Sequence, residues 1–227
     1  MKRIKIRYVL LGTVVLLLLA VSIAVARGIP NAGVLPPNNR VEGRTDGEWS
    51  VIWWQHVFAI PASQNPLMGV TGDSCIVDQV GNVALIFADP MFGQTIHCQA
   101  PLGAKLYLDI VSVECSTLEP DPFHGENEAE LRACALGFTI TDLQAEIDGR
   151  PVKNLERYIH ASPLFDLTMP EDNILEVPAG SSGQSVSNGA HLMLNPLSPG
   201  THTVHLHAYV PEVDFTVDLN YEFIVGK

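Results

Sequence analysis

Seven apolar residues near the C-terminus stand at every second position: Val213, Phe215, Val217, Leu219, Tyr221, Phe223 and Val225. Asp214, Thr216, Asp218, Asn220 and Glu222 fill the gaps, and only Ile224 breaks the alternation. Side chains of an extended strand point in turn to its two faces. Period two over this length therefore means a strand with one face buried and one face wet. A chain carrying such a strand needs a second apolar layer to cover it.

Other segments read the same way. Val83 to Ala88 is a short apolar run, and Lys105 to Val113 alternates Leu106, Leu108 and Ile110. Phe138 to Ile147 runs into Asp148-Gly149, a hairpin-turn dipeptide. Leu164 to Thr168, Ile174 to Val177, Ala190 to Leu194 and Thr201 to Val210 complete the set of expected strands. Two helices interrupt them. Thr45 stands three residues before Glu48, a capping box, and Trp49, Ile52, Trp53, His56, Val57 and Ile60 follow at helical spacing until Pro61. Asn127 and Glu130 mark a second helix over Glu128 to Leu136. The Gly/Ser-rich stretch Ala179 to Gly189 reads as a mobile loop. About eight strands, two short helices and many Gly/Pro turns predict a mainly β fold, a β-sandwich or jelly roll of antiparallel sheets.

The N-terminus reads differently. Lys2, Arg3, Lys5 and Arg7 precede an apolar run from Tyr8 to Ala26 that ends in Ala24-Val25-Ala26. This is an export segment. Residues 1–26 are either a cleaved signal peptide or a retained membrane anchor, since a spanning helix needs roughly 20 apolar residues. In both cases the body lies outside the cytoplasm: secreted, periplasmic or at the cell surface. Residues 27–46, rich in Gly, Pro and Asn, read as an extended linker or arm, and 47–227 as one β-sandwich domain.

Four of the 13 basic residues lie in the export segment, which leaves 9 against 25 acidic residues and a net charge of −16 beyond Ala26. Such a surface repels phosphate backbones and excludes nucleic acid as a partner. Membrane contact is expected only through residues 8–26, if they are uncleaved. Cys75, Cys98, Cys115 and Cys134 form an even set in an exported chain, which reads as two disulfides. Sequential pairing, Cys75–Cys98 and Cys115–Cys134, closes the shortest loops.

Several segments resemble a family of exported, disulfide-containing microbial proteins of unassigned function. They are Gly47-Glu48-Trp49-Ser50 through Trp53-Trp54-Gln55, Ile60-Pro61 to Asn65-Pro66, Glu114-Cys115-Ser116, Pro199-Gly200-Thr201-His202-Thr203-Val204-His205 and Asp218-Leu219-Asn220-Tyr221. The resemblance covers most of residues 34–225. It implies an exported β-rich domain with paired cysteines and no particular reaction. Ala84-Leu85-Ile86 departs from it, standing where such proteins often carry a Trp-Phe-Leu run.

Three groups of residues could carry chemistry. His205 and His207, two apart on one expected strand, project from one face as two zinc ligands would, with His124, His97 or Glu212 as a third. His202 points to the opposite face. Between Cys115 and Cys134, the carboxylates Glu119, Asp121 and Glu126 surround His124 together with Glu114, Glu128 and Glu130. This acidic loop could hold calcium or supply an acid/base pair of Glu119 with Asp121 or His124. The tryptophan helix places Trp49 and Trp53 on one face beside His56, with Trp54 turned about 100° away. Core packing explains that pattern as well as a stacking platform does. No G-x-S-x-G, H-E-x-x-H, Walker loop or G-x-G-x-x-G is present. The sequence therefore predicts an exported, non-catalytic binding or structural module acting on an unknown ligand or surface protein. A metal-dependent hydrolase built on His205 and His207, and a membrane-tethered assembly component, are the alternatives.

Overall fold

The Thr45 cap forms as its spacing demands. The Thr45 hydroxyl accepts from the Glu48 N–H (3.3 Å), and the Glu48 carboxylate accepts from the Thr45 N–H (2.7 Å). That backbone donor holds the Glu48 carboxyl below its ordinary range. The cap starts helix α1 (Asp46–Ala59); Ile60, extended ahead of Pro61, stops it. The structure, a computed structural model, describes Asn31 and residues 33–226. The expected export segment lies outside the described residues. Among the described residues, no helix is long and apolar enough to cross a membrane.

Burial of α1 is not confined to one stripe. Gly47, Ser50, Trp54 and Phe58 are buried as well as Trp49, Trp53 and Val57. The preceding arm explains part of this. Leu35 N–H donates to the Met193 carbonyl (2.8 Å), Val41 is buried, and the Trp49 indole donates to the Val41 carbonyl (3.1 Å). The helix thus lies between the arm and a sheet.

Eleven strands make two sheets. They are β1 (Ile76–Val80), β2 (Val83–Phe87), β3 (Thr95–Ala100), β4 (Lys105–Ser116), β5 (Thr141–Ile147), β6 (Arg150–Pro151), β7 (Ile159–Ala161), β8 (Phe165–Thr168), β9 (Ser182–Leu194), β10 (Gly200–Val210) and β11 (Phe215–Val225). The first sheet runs β1-β2-β4-β9-β7, with β8 also on β9; the second runs β3-β11-β10-β5-β6. The fold is mainly β and sandwich-like, as expected. One apolar core lies between the sheets and includes Leu108, Val186, Leu206 and Phe223. A second lies between α1 and the first sheet and includes Trp49, Trp53, Leu85, Tyr107 and Met193. Helix α2 (Glu128–Gly137), capped by Asn127, adds Leu131 and Ala135 to the inter-sheet core.

The cysteines pair sequentially. Cys75–Cys98 (Cα–Cα 5.5 Å) ties the entry to β1 in the first sheet to β3 in the second. Cys115–Cys134 (6.2 Å) ties β4 to α2.

Three expectations are corrected. The sheets are mixed rather than antiparallel, because β2 pairs β4 in parallel and β3 pairs β11 in parallel. The reason is topological: β3 crosses to the second sheet between β2 and β4, so β4 re-enters the first sheet in the direction of β2. The Gly/Ser stretch is not a loop. From Ser182 it forms most of β9, paired with β4 from Ser185 to Leu194, and Ser185 to Gly189 is buried. Its small residues let α1 and the neighbouring loops approach closely. Ile174 to Val177 is a turn, held by Asn173, whose amide and carbonyl oxygen bind the Val177 carbonyl (2.8 Å) and N–H (3.1 Å).

Candidate functional site

Strand β4 carries a bulge. Its register against β9 shifts between Asp109 and Val111, so Ile110 and Val111 both join the inter-sheet core. Alternation then resumes with Ser112, Glu114 and Ser116 on the same face as Tyr107 and Asp109. Their register partners on β9 are His191 for Asp109, Gly189 for Ser112, Ser187 for Glu114 and Ser185 for Ser116. A polar ladder therefore runs along the helix-covered face of the first sheet, where an apolar ladder would be ordinary.

The ladder is joined by hydrogen bonds. Ser185 Oγ donates to Glu114 Oε1, Ser112 Oγ donates to Asp109 Oδ2 (2.9 Å), and Ser50 Oγ on α1 meets Ser187 Oγ (2.8 Å). Ser116 Oγ donates to Glu119 Oε2 (3.0 Å), and Glu119 hydrogen-bonds Glu114. Glu114 and Glu119 thus form a buried carboxyl pair. Burial, reinforced by the neighbouring Glu119 carboxylate, pushes the Glu114 carboxyl well above its ordinary value. Burial also raises Glu119. Two carboxyls this close in a dry site hold a proton between them. Burial lifts Asp109 to about 7 and depresses His191 to about 3, so His191 is neutral. Asp109 Oδ1 and His191 Nε2 lie 3.2 Å apart without hydrogen-bonding geometry.

The ladder borders a cavity of about 420 Å³. It opens because β2 pairs β4 only from Val83 to Leu85, opposite Lys105 to Tyr107. Beyond Tyr107 the two strands part, and the Trp53 indole donates to the Ile86 carbonyl instead (3.0 Å). The gap reaches both cores. Trp53, Trp54 and Phe58 of α1 line one side, and Val210, Val217, Leu219 and Tyr221 line the other. Asp109, Ser112, Glu114 and Glu119 supply its carboxyls and a hydroxyl. Met91 and Val213, both exposed, belong to the rim. Trp54 is 9% exposed, so it is a cavity wall rather than a surface platform. Its ring meets Trp53 edge-on (5.2 Å), and its indole N–H has no hydrogen-bond partner among the described residues.

The residues singled out in the sequence fall in separate places. His205 and His207 do face one side of the second sheet. His205 Nε2 is 2.7 Å from Asp218 Oδ1, and His207 stands opposite Asp218 and Gln144 in register. His124 is elsewhere, with Nδ1 on the Glu119 carbonyl (2.7 Å) and Nε2 on Glu126 (3.1 Å). His97 pairs with Glu222 and Glu212 with Thr139. Among the described residues, no three His, Cys, Asp or Glu side chains are gathered to hold a metal ion. The zinc set His205, His207 and His124 is therefore not assembled. The calcium set is not assembled either, because its carboxylates are engaged with different partners. Glu126 binds His124, Glu128 binds Arg132, Glu130 caps the Glu126 N–H and the Asn127 amide, and Glu119 turns inward. Asp121 is exposed in the same loop, close enough for its charge to act on His124. Glu119 does lie beside His124, which acts on it by charge, and its carboxyl also meets Glu114. Asp109, His191, Ser185 and Ser187 were missed, and the signal that could have found them is the interruption of an apolar strand by Asp109, Ser112, Glu114 and Ser116.

No protein-family model matches the chain, and no curated protein does. Among solved structures, one similar chain comes from "Structure of PbICP-C in complex with falcipain-2". It is 12% identical, with 67% of this chain and 97% of that chain covered and a TM-score of 0.20, too low to show a shared fold.

Proposed function

We propose that the protein is an exported binding module whose ligand is a small apolar molecule held where β2 and β4 part. The cavity carries this reading. Its volume of about 420 Å³ is in the range of small-molecule sites, which combine apolar walls with a few polar groups. The two disulfides suit an oxidising, extracytoplasmic setting, and the N-terminal basic and apolar pattern supplies a route there. The family resemblance agrees with export and adds no activity. The zinc hydrolase alternative is not pursued, because its histidines stand apart.

Titration of the disulfide-bonded protein with N-phenyl-1-naphthylamine, a neutral apolar dye, tests the reading. Saturable binding of about one dye per chain, with a change in tryptophan emission from Trp53 and Trp54, is expected. A Val213→Trp substitution narrows the mouth at an exposed position and should weaken binding without loss of fold. Dye binding that is absent, or unaffected by this substitution, would overturn the assignment.

A further inference from the structure

We propose that the cavity selects an apolar molecule bearing one ammonium group, with the Glu114–Glu119 carboxyl pair receiving that group. The inference rests on the binding reading above and adds the chemistry of the head group.

Charge complementarity points to a cation. Every ionisable side chain on the cavity wall other than Tyr221 is a carboxyl: Asp109, Glu114 and Glu119. Among the described residues no Lys, Arg or His lines it. A carboxylate or phosphate ligand would meet three acids and no counter-charge in a poorly hydrated space, at a cost of several kcal/mol. A neutral ligand would leave the pair as it is. An ammonium donates up to three hydrogen bonds and can take the place of one of the pair's protons, forming an ion pair with one carboxylate while the other carboxyl keeps its proton. The aromatic walls of Trp53, Trp54 and Tyr221 also suit a cation and its apolar body. The acidic surface, net −16 beyond Ala26, draws cations toward the mouth.

The surroundings of the pair fix the proton balance. Glu114 faces Ser185 on β9, and Glu119 faces Ser116 on β4 and feels the charge of His124 from its own loop. Asp109 faces Ser112 and His191. Burial raises both carboxyls and so favours the uncharged empty pair, with a proton on each; an ammonium docking there sends one of the two protons to solvent, and the ammonium and the remaining carboxylate then cancel in charge. Affinity therefore rises with pH above the ordinary carboxylate range, while an aliphatic amine stays charged.

Isothermal titration calorimetry of the disulfide-bonded protein with decylamine, decan-1-ol and decanoate decides the point, below the concentration at which each aggregates. Running each in two buffers of different ionisation enthalpy counts protons. The expected result is decylamine about tenfold or more tighter than decan-1-ol, decanoate weakest, and about one proton released per amine and none per alcohol. Glu119→Gln should remove most of the preference for the amine over the alcohol and the proton release that accompanies it. If that variant does not fold, the wild-type proton count and its pH profile still decide. Equal binding of amine and alcohol without proton release overturns the head-group inference and leaves the apolar-ligand reading standing. Tightest binding by decanoate does the same. Binding of none of the three, nor of N-phenyl-1-naphthylamine, overturns both.

Discussion

Histidines and carboxylates meet in two parts of this molecule with opposite consequences. On the outer face of the second sheet, His205 pairs with Asp218 and His97 with Glu222, all substantially exposed. On the covered face of the first sheet, Asp109 stands by His191 and Glu114 by Glu119, sealed beneath α1 and the Cys115–Cys134 loop. The outer pairs keep their water. The inner ones lose it, so burial holds carboxyls protonated and the imidazole neutral. Residue type suggested a site on the outer face; solvent access puts the unusual chemistry inside.

The largest break in this comparison should come from Gly189. A Cβ there would collide with Ser112 Cβ and sit 2.5 Å from Ser112 Cα and 2.6 Å from the Val111 carbonyl oxygen. Backbone cannot step aside as a flexible side chain can. Gly189→Ala is expected to cost about 3 kcal/mol or more in urea unfolding. Gly137→Ala, at the end of α2 with open space around it, should be nearly neutral. Equal effects would mean that the ladder is loosely packed.

Gly189 also shows what the sequence could and could not reveal. The capping box of α1, the alternation of β11 and the Asp148-Gly149 hairpin turn are local signals, and each acts within a few residues. Asp148 and Gly149 both adopt positive φ, 49° and 72°, as the turn requires. Strand β9 has no such signal between Ser182 and Gly189. Its extended form is imposed by pairing with β4, some seventy residues earlier in the chain, so its composition reads as loop. Strand β3 was missed for the same reason, since its partner is β11. The carboxyl pair was half legible. Glu119 stood out within an acidic loop, but Glu114 becomes its partner only once Cys115–Cys134 and the turn at Pro120 fold that loop back over β4.

The two disulfides sharpen the contrast next. Their sequence separations, 23 and 19, are similar, so loop entropy predicts similar losses of roughly 3 kcal/mol when either is removed as a double Cys→Ala variant. Their effects on the cavity should differ. Cys115–Cys134 anchors the segment that carries Glu119, whereas Cys75–Cys98 ties strands away from it. Dye affinity is expected to fall in Cys115→Ala/Cys134→Ala and to hold in Cys75→Ala/Cys98→Ala at temperatures where both remain folded. Equal retention of affinity would mean that the loop keeps its place without the bridge.

Asp109 gives an effect that depends on pH. Its folded carboxyl titrates at about 7, against about 4 in an unfolded chain. The folded state therefore binds more protons between those values, and its stability falls as pH rises through them. Asp109→Asn removes that dependence. The variant should gain about 4 kcal/mol relative to the wild type on going from pH 4 to pH 8, whatever its stability at pH 4. Urea unfolding at pH 4, 5.5 and 8 reads the difference directly. Parallel pH profiles for the two proteins would place Asp109 in solvent and dissolve the distinction between the faces at this residue.

The smallest effect belongs to the outer pair, and its smallness is the point. His205 Nε2 lies 2.7 Å from Asp218 Oδ1, a shorter contact than that between His191 and Asp109, yet the side chains are 39% and 59% exposed. An exposed pair exchanges water contacts for one another and is screened by salt. His205→Ala and Asp218→Ala should each change stability by about 0.5 kcal/mol or less, and the coupling between them in a double-mutant cycle should fade between low and high salt. A cost near 2 kcal/mol that persists in salt would mean that distance, rather than exposure, governs these contacts.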